Sequence, residues 1–378
     1  MNYDVIIQGA GLVGSLYALL LKSGNPDIKV LLLDTKPLIS TVTFTSEYDL
    51  RVSALNLTTI GLFKKAGIWD ELKSHRYGVF KNIEIFTNSG NLDLDHNDAN
   101  QIALAYTFEN RQIQQVMHRA LQGVDFRVDK IESFSQDEKK VYVKSAIGHE
   151  YTTHLLVGAD GANSFVRRKL KLPVTFTAYE QSAIVGNFKA HGEKNTATQT
   201  FSEHGVLAWL PLKDNGYSIV LSTKTQTAKQ LLTLNDVDFI KELSIYDKSN
   251  VTDIQSISTR AAFPLQGMHA QQYYHGRVVI IGDAAHVIHP LAGQGVNLGF
   301  KDAQALAECT AYCTNVKSAL HNYQKQRYSN NCAVQKLMES LDYSFVRSTG
   351  YLESIKAILL QTANSSVYIK QQMLDIAL

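Results

Sequence analysis

The 378 residues suffice for two or three domains and a sizeable core, and 45% hydrophobic against 19% charged residues describes a folded chain rather than a disordered one. The 37 basic and 35 acidic residues leave a net charge of +2, without the clustered positive stripe that a phosphate backbone demands, so nucleic acid is not an expected partner. Three cysteines, Cys309, Cys313 and Cys332, fit a reduced cytoplasmic chain; no His or acid cluster joins Cys309 and Cys313 at ligand spacing, so packing is their expected role and no metal is predicted.

The opening "NYDVIIQGAGLVGSLYALLLKSG" predicts a short buried strand, a glycine turn and a helix with apolar residues at Leu12, Leu16, Leu19 and Leu20. The strand begins almost at Met1, which leaves no room for a signal peptide, and no apolar run reaches the ~18 residues of a membrane span. "IKVLLLD" predicts a second strand ending at Asp34 and completes a βαβ entry to a doubly wound sheet. "ALNLTTIGLFKKAGIWDEL" and, after "ALAYTFEN", "RQIQQVMHRAL" read as helices. From 77 to 97 and again from 175 to 269, alternating segments such as "SAIVGNFKA", "VLAWLPL" and "YSIVLSTK" are separated by Gly, Asn, Asp and Lys turns, the pattern of an antiparallel sheet. "RVVIIGD" returns to a buried parallel strand, and helical periodicity runs on from Val296.

Gly9, Gly11 and Gly14 form G-x-G-x-x-G between a strand and a helix. The first permits a tight turn, the second close approach of backbone to a pyrophosphate, and the third close packing of helix on strand. Asp34, 20 residues beyond Gly14, stands where a carboxylate accepts hydrogen bonds from ribose and repels a 2′-phosphate, so the expected ligand is FAD or NAD rather than NADP. "LLVGADGANSFVRRKL" carries a second turn at Asp160 and Gly161; Asp160 could serve a ligand or cap the helix that follows. "GDAAHVIHPLAGQGVNLGFKDA" carries a third, with Asp283 at the end of a buried strand and Gly293-Gln294-Gly295 before a helix. A carboxylate there suits the ribitol hydroxyls that NAD lacks, and the Gly-Gln-Gly amides suit the electron-rich edge of a reduced flavin. A helix dipole contributes up to ~2 kcal/mol, about 40 mV on a two-electron couple, enough to tune a flavin but not to choose its reaction.

With these three motifs in this order, the chain resembles the group A flavoprotein monooxygenases, aromatic hydroxylases built like p-hydroxybenzoate hydroxylase. It is more closely similar to the ubiquinone-biosynthesis hydroxylases, through "DLRVSAL", "ENRQIQQVM", "AAFPL", "GDAAHVIHPLAGQGVNLGFKDAQAL" and "YQKQRYSNN", a likeness covering nearly the whole chain. The resemblance implies an α/β fold: a Rossmann-like FAD-binding domain of residues 1–76, 98–174 and 270–338, an inserted, mainly antiparallel β-sheet substrate domain of 77–97 and 175–269, and C-terminal helices over 339–378. It implies that Arg51, Arg111 and Gln115 reach the phosphate and ribitol side of FAD, that Asn297 belongs to the cofactor-binding set, and that Pro290 and Gly293 position the substrate ring near flavin C4a. Read without it, either arginine would be a surface ion pair, and His286 and His289 are expected to pack rather than catalyse. Trp209 and Tyr217 could line a pocket or sit in the core. The C-terminal stretch and the β-sheet segments "VGNFKA" and "TFSEHG" follow the family pattern only loosely.

The reaction implied is ring hydroxylation of a polyprenylated phenol or quinol by O₂ through a flavin C4a-hydroperoxide. A single dinucleotide fingerprint implies that NADH, NADPH or a protein reductant delivers electrons without a domain of its own. A lipid-tailed substrate implies a cytoplasmic enzyme at the periphery of the inner membrane or in a ubiquinone-biosynthesis complex, where Leu352, Ile355, Leu359 and Met373 either offer apolar surface or pack back on the FAD domain. The alternatives are hydroxylation or halogenation of a small soluble aromatic compound and a non-catalytic flavoprotein subunit. A halogenase would show a W-x-W-x-I-P signature where this chain has "AWLPL".

Overall fold

Apolar strands without polar alternation need cover on both faces, and the first sheet receives it. The computed structural model describes residues 1–39, 48–289, 295–312, 315–344, 351–366, 369–371 and 374. Strands Asn2–Gln8, Val30–Asp34, Asp125–Val128, Glu150–Gly158 and Val278–Ile280 run parallel, with Asn2–Gln8 between Val30–Asp34 and Glu150–Gly158. Ile6, Ile7, Leu31, Leu32, Leu156, Val157 and Val279 are fully buried there. Helix Leu12–Gly24 packs along helix Gly295–Tyr312, so the beginning and the late part of the chain share one core.

Tertiary pairing adds three features that the local sequence does not announce. "ALNLTTIGLFKKAGIWDEL" is not helical throughout: Val52–Asn56 is a strand paired with Ala105–Glu109, and the Asn56 side chain accepts a hydrogen bond from the Thr59 amide to cap helix Leu57–Lys65. A two-strand extension, Ile131–Gln136 and Val141–Ser145, joins the first sheet antiparallel to Glu150–Gly158. Two helices, Thr225–Thr233 and Asp236–Leu243, lie inside the segment expected to be sheet.

The second sheet follows the order His286–Val287, Ala261–Ala270, Val174–His191, Gly216–Lys224, Gly205–Pro211, Thr196–Ser202, Asn82–Phe86, Asn91–Asp95, with Thr252–Ile257 beside the long strand Val174–His191. It is antiparallel except where Thr196–Ser202 meets Asn82–Phe86. One face lies under the helices Thr225–Thr233 and Asp236–Leu243, with Phe188, Trp209, Tyr217, Ile219, Phe239 and Tyr246 in a closed core. Trp209 and Tyr217 are therefore core residues and do not line a pocket; the Trp209 indole donates to Asp247 Oδ2 at 2.9 Å.

Candidate active site

Three turns at the ends of parallel strands converge. Gly9 has φ +109°, and a Cβ there would stand 2.2 Å from the Ala159 carbonyl oxygen, so only glycine lets the first turn touch the second. A Cβ on Gly14 would lie 2.0 Å from the Gly9 carbonyl oxygen, whereas one on Gly11 would meet nothing within 4 Å. Gly11 precedes helix Leu12–Gly24 without a side-chain cap, so the helix presents its first amides to whatever enters. The third turn joins through Gly299, where a Cβ would come within 2.6 Å of Val13 Cγ2 and 3.4 Å of Gly282 Cα. Arg167 ties the second turn to the third, donating to the carbonyl oxygens of Ala162 at 2.7 Å and Ala284 at 2.8 Å.

The Ala10 peptide between the first two glycines is clamped on both sides. Its amide donates to Asp34 Oδ2 at 2.7 Å, while its carbonyl accepts from Gln114 Nε2 at 3.1 Å and His118 Nε2 at 2.8 Å. His118 Nδ1 accepts from the Ile39 amide at 2.8 Å, which leaves the ring neutral with its proton on Nε2, and burial lowers its pKa. Neither Gln114 nor His118 stood out in the sequence. Their spacing of four on helix Asn110–Ala120 was the available signal, since it sets both on one face.

The predicted residues divide by place. Arg51 and Arg111 are exposed and brought together by the backbone, where the Asn110 amide donates to the Arg51 carbonyl at 2.8 Å; Gln115 is buried on the same helix as Arg111. Asp283 keeps exposed surface in its turn. The protein around it withdraws water and pushes its carboxyl up, an effect opposed by His286 and by Arg51, which places Arg51 within electrostatic reach of the third turn. Asp160 caps the helix Phe165–Lys169: Oδ2 accepts from the Phe165 amide at 2.7 Å and the Val166 amide at 3.2 Å, while Oδ1 is buried with no hydrogen-bond partner. Asn297 is a tether, its Oδ1 accepting from Thr59 Oγ1 at 2.7 Å and its Nδ2 donating to the Ala54 carbonyl at 2.8 Å, which directs its side chain to protein groups. Gly295 begins helix Gly295–Tyr312. Pro290, Gly293, Gln294, Cys313 and Met373 lie outside the described residues, as do the side chains of Leu352, Ile355 and Leu359.

The chain leading to Pro290 is pinned to the second sheet. His289 Nε2 and Gln181 Oε1 are 3.0 Å apart, and the ring meets Tyr179 edge-on at 4.8 Å. Beyond that contact the sheet is partly open. Ala261, Val185, Val220, Ala208 and Gln199 face each other in register across five strands, and each is half-buried. Neighbours on the same face, Ala183, Ser218 and Ser222, are buried.

These residues fit FAD. Bare helix amides and an open Gly11 suit the pyrophosphate, Asp34 suits the ribose, and a carboxylate at Asp283 suits a polyol. Among the described residues no group of three or more His, Cys, Asp and Glu could hold a metal ion.

A family model described as an FAD binding domain matches residues 2–337. The ubiquinone biosynthesis monooxygenase COQ6, mitochondrial, of Rattus norvegicus is 30% identical, the match covering 99% of this chain and 90% of that protein. The 3-demethoxyubiquinol 3-hydroxylase of Escherichia coli (strain K12) is 29% identical over 99% of this chain and 98% of its own length. Among solved structures, p-nitrophenol 4-monooxygenase PnpA from Pseudomonas putida DLL-E4 shares the fold with a TM-score of 0.78 at 18% identity, covering 100% of this chain and 98% of that one.

Proposed function

The chain belongs to the FAD binding domain family, that of the flavin-dependent aromatic-ring monooxygenases, and from that membership we propose that it hydroxylates the ring of a polyprenylated phenol or quinol on the route to ubiquinone. FAD is the cofactor. Bound and reduced, it supplies the two electrons with which O₂ delivers one oxygen atom to the ring and leaves the other as water. The relatives favour this reading over a small soluble aromatic substrate or a non-catalytic subunit.

The observation that carries it is the convergence of three turns on an uncapped helix start, with an apolar line of sheet beyond the His289 contact. In this reading Gly9, Gly11, Gly14 and Asp34 seat the adenosine and pyrophosphate half of FAD. Arg51, Arg111, Gln115 and Asp160 attend the phosphate and ribitol side, Asp283 the ribityl hydroxyls, and the amides of Gly293, Gln294 and Gly295 the ring edge, with Pro290 where the substrate ring docks. Asn297 acts indirectly by holding its helix to strand Val52–Asn56. Residues 1–76, 98–174 and 270–338 make the FAD-binding domain, and 77–97 with 175–269 the substrate domain. Its half-open line offers an apolar floor at Ala261, Val185, Val220 and Ala208 that ends in the Gln199 amide, with no charged side chain along it. Spanning four inter-strand steps, it extends roughly 19 Å at the usual strand spacing, long enough to take part of a prenyl tail as well as a ring.

NADH, NADPH or a protein reductant reaches the flavin transiently. Among the described residues no helix is long and apolar enough to cross a membrane; the lipid tail of the substrate is what calls for a membrane periphery or a biosynthetic complex. The test is a visible spectrum of the purified full chain with FAD, followed by anaerobic NADH or NADPH with and without a prenylated phenol. Bleaching accelerated by the phenol, and a hydroxylated product on admitting O₂, are expected. Failure to bind FAD, or bleaching indifferent to the phenol, would count against the reading.

A further inference from the structure

Beneath the Gly282–Asp283 turn lies a buried polar cluster that the flavin motifs leave unexplained. Asp302, on helix Gly295–Tyr312, is fully buried, and its carboxylate accepts four hydrogen bonds. Oδ2 takes the Gly282 amide at 3.1 Å and His286 Nε2 at 2.6 Å; Oδ1 takes Arg327 Nε at 2.8 Å and Asn331 Nδ2 at 3.1 Å. Burial alone would push its carboxyl up, but His286 and Arg327 outweigh burial and hold it well below the usual range.

The network continues in a single donor direction. Asn331 Oδ1 accepts from Arg327 at 2.6 Å, and Asn331 Nδ2 also donates to the Tyr273 hydroxyl at 3.2 Å. Tyr273 donates to His269 Nε2 at 2.8 Å, His269 Nδ1 donates to Gln335 Oε1 at 2.9 Å, and Gln335 Nε2 donates to Glu339 at 3.0 Å. Each donor is assigned by the next acceptor, and burial lowers the pKa of His269, as a neutral ring requires. The carboxamides of Asn331 and Gln335 interrupt the chain as a proton path, because an amide does not readily give up its proton. What remains is positioning. A buried ion pair is weak evidence for stability, since desolvation offsets its attraction, and its best-attested use is to specify one arrangement.

We propose that Asp302 is a positioning residue for FAD: by holding the Gly282 amide and His286 on either side of Asp283, it fixes the direction in which Asp283 meets the ribityl hydroxyls. Gly282 has φ +60°, a conformation that carries little restraint of its own in glycine, so the amide needs an external acceptor. Arg167 holds the other end of the turn through the Ala284 carbonyl. The inference rests on the assignment of Asp283 to the flavin, and the test separates the two.

Fluorescence titration of the full-length apoprotein with FAD should show Asp302→Asn binding at least tenfold more weakly than wild type, about 1.4 kcal/mol, with a shifted flavin midpoint potential. If Asp302→Asn does not fold, His286 gives the same answer. His286→Gln keeps a donor for Oδ2 and should retain most of the affinity, whereas His286→Leu should lose it. Gln335→Leu, at the far end of the network, should lower the thermal midpoint and leave FAD affinity unchanged. A folded Asp302→Asn or His286→Leu protein with wild-type FAD affinity and potential, beside an Asp283→Ala protein that binds weakly, overturns the proposal. Wild-type affinity in Asp283→Ala overturns the assignment of Asp283 and this inference with it.

Discussion

The two faces of the second sheet are built from the same strands and do opposite things. The face under helices Thr225–Thr233 and Asp236–Leu243 holds Trp209, Tyr217 and Phe188 in edge-to-face contacts, with Trp209 at 1% exposure. The other face carries Val185, Ala208 and Val220, half-buried, on the side where His289 meets Gln181. Large aromatics are the conspicuous candidates for binding a ring, but their size is what closes a core. Small side chains in register leave room, and room is what a substrate needs.

The sharpest test of that contrast is Trp209→Ala. Removing a fully buried indole should cost about 3–5 kcal/mol, read as a large fall in thermal midpoint, while FAD affinity of the remaining folded protein stays put. A variant with unchanged stability and a raised KM would make Trp209 a binding residue and break the comparison. The converse substitution is Ala208→Phe. Its ring would project from a half-buried position over the line, so the KM for a prenylated phenol should rise roughly 10–100-fold while the protein stays folded. Phenol-independent oxidation of NADH or NADPH should continue at the original rate. An unaltered KM would mean that the line is not the substrate floor.

Legibility in the sequence followed the range of the interactions. The three turns were readable because a glycine that must touch backbone and an acid at a strand end are local requirements, met within a few residues of Gly9, Asp160 and Asp283. Nothing near Ala54–Asn56 distinguishes it from the helix that follows; pairing with Ala105–Thr107 makes it strand across about fifty residues. Asp302 sits in "GFKDAQAL", where no local signal marks it, and only the approach of His286 and Arg327 makes it the centre of a buried cluster. Likewise, the alternation in "YSIVLSTK" gave two faces to a strand without saying which one the helices of 225–243 would cover. Periodicity reports that faces differ; burial of one requires a partner elsewhere in the chain.

Smaller effects probe the margin of the covered face. The Tyr217 hydroxyl donates to the Glu193 carbonyl at 3.3 Å, so Tyr217→Phe should cost about 0.5–1.5 kcal/mol with KM unchanged. Nearby, Glu84 pairs across the sheet with Thr198, which itself pairs with Trp209, so Glu84 stands on the covered side. Burial, a hydrogen bond to Glu193 and the charges of Glu193 and Asp93 raise its pKa to about 7. A carboxyl whose folded pKa lies above its unfolded value favours the folded state in acid, and that contribution fades as pH rises from about 4.5 through about 7. Above that window Glu84 carries its charge beside the carboxyl groups of Glu193 and Asp93, which oppose it. Glu84→Gln should therefore raise the thermal midpoint at pH 8 and leave it nearly unchanged at pH 5. Solvent screening of this partly exposed pair limits the gain to less than about 1 kcal/mol. Because Glu84 points away from the open line, KM for the prenylated phenol should not move at either pH. A pH-dependent KM that disappears in Glu84→Gln would show the two faces to be coupled and end the division of labour between them.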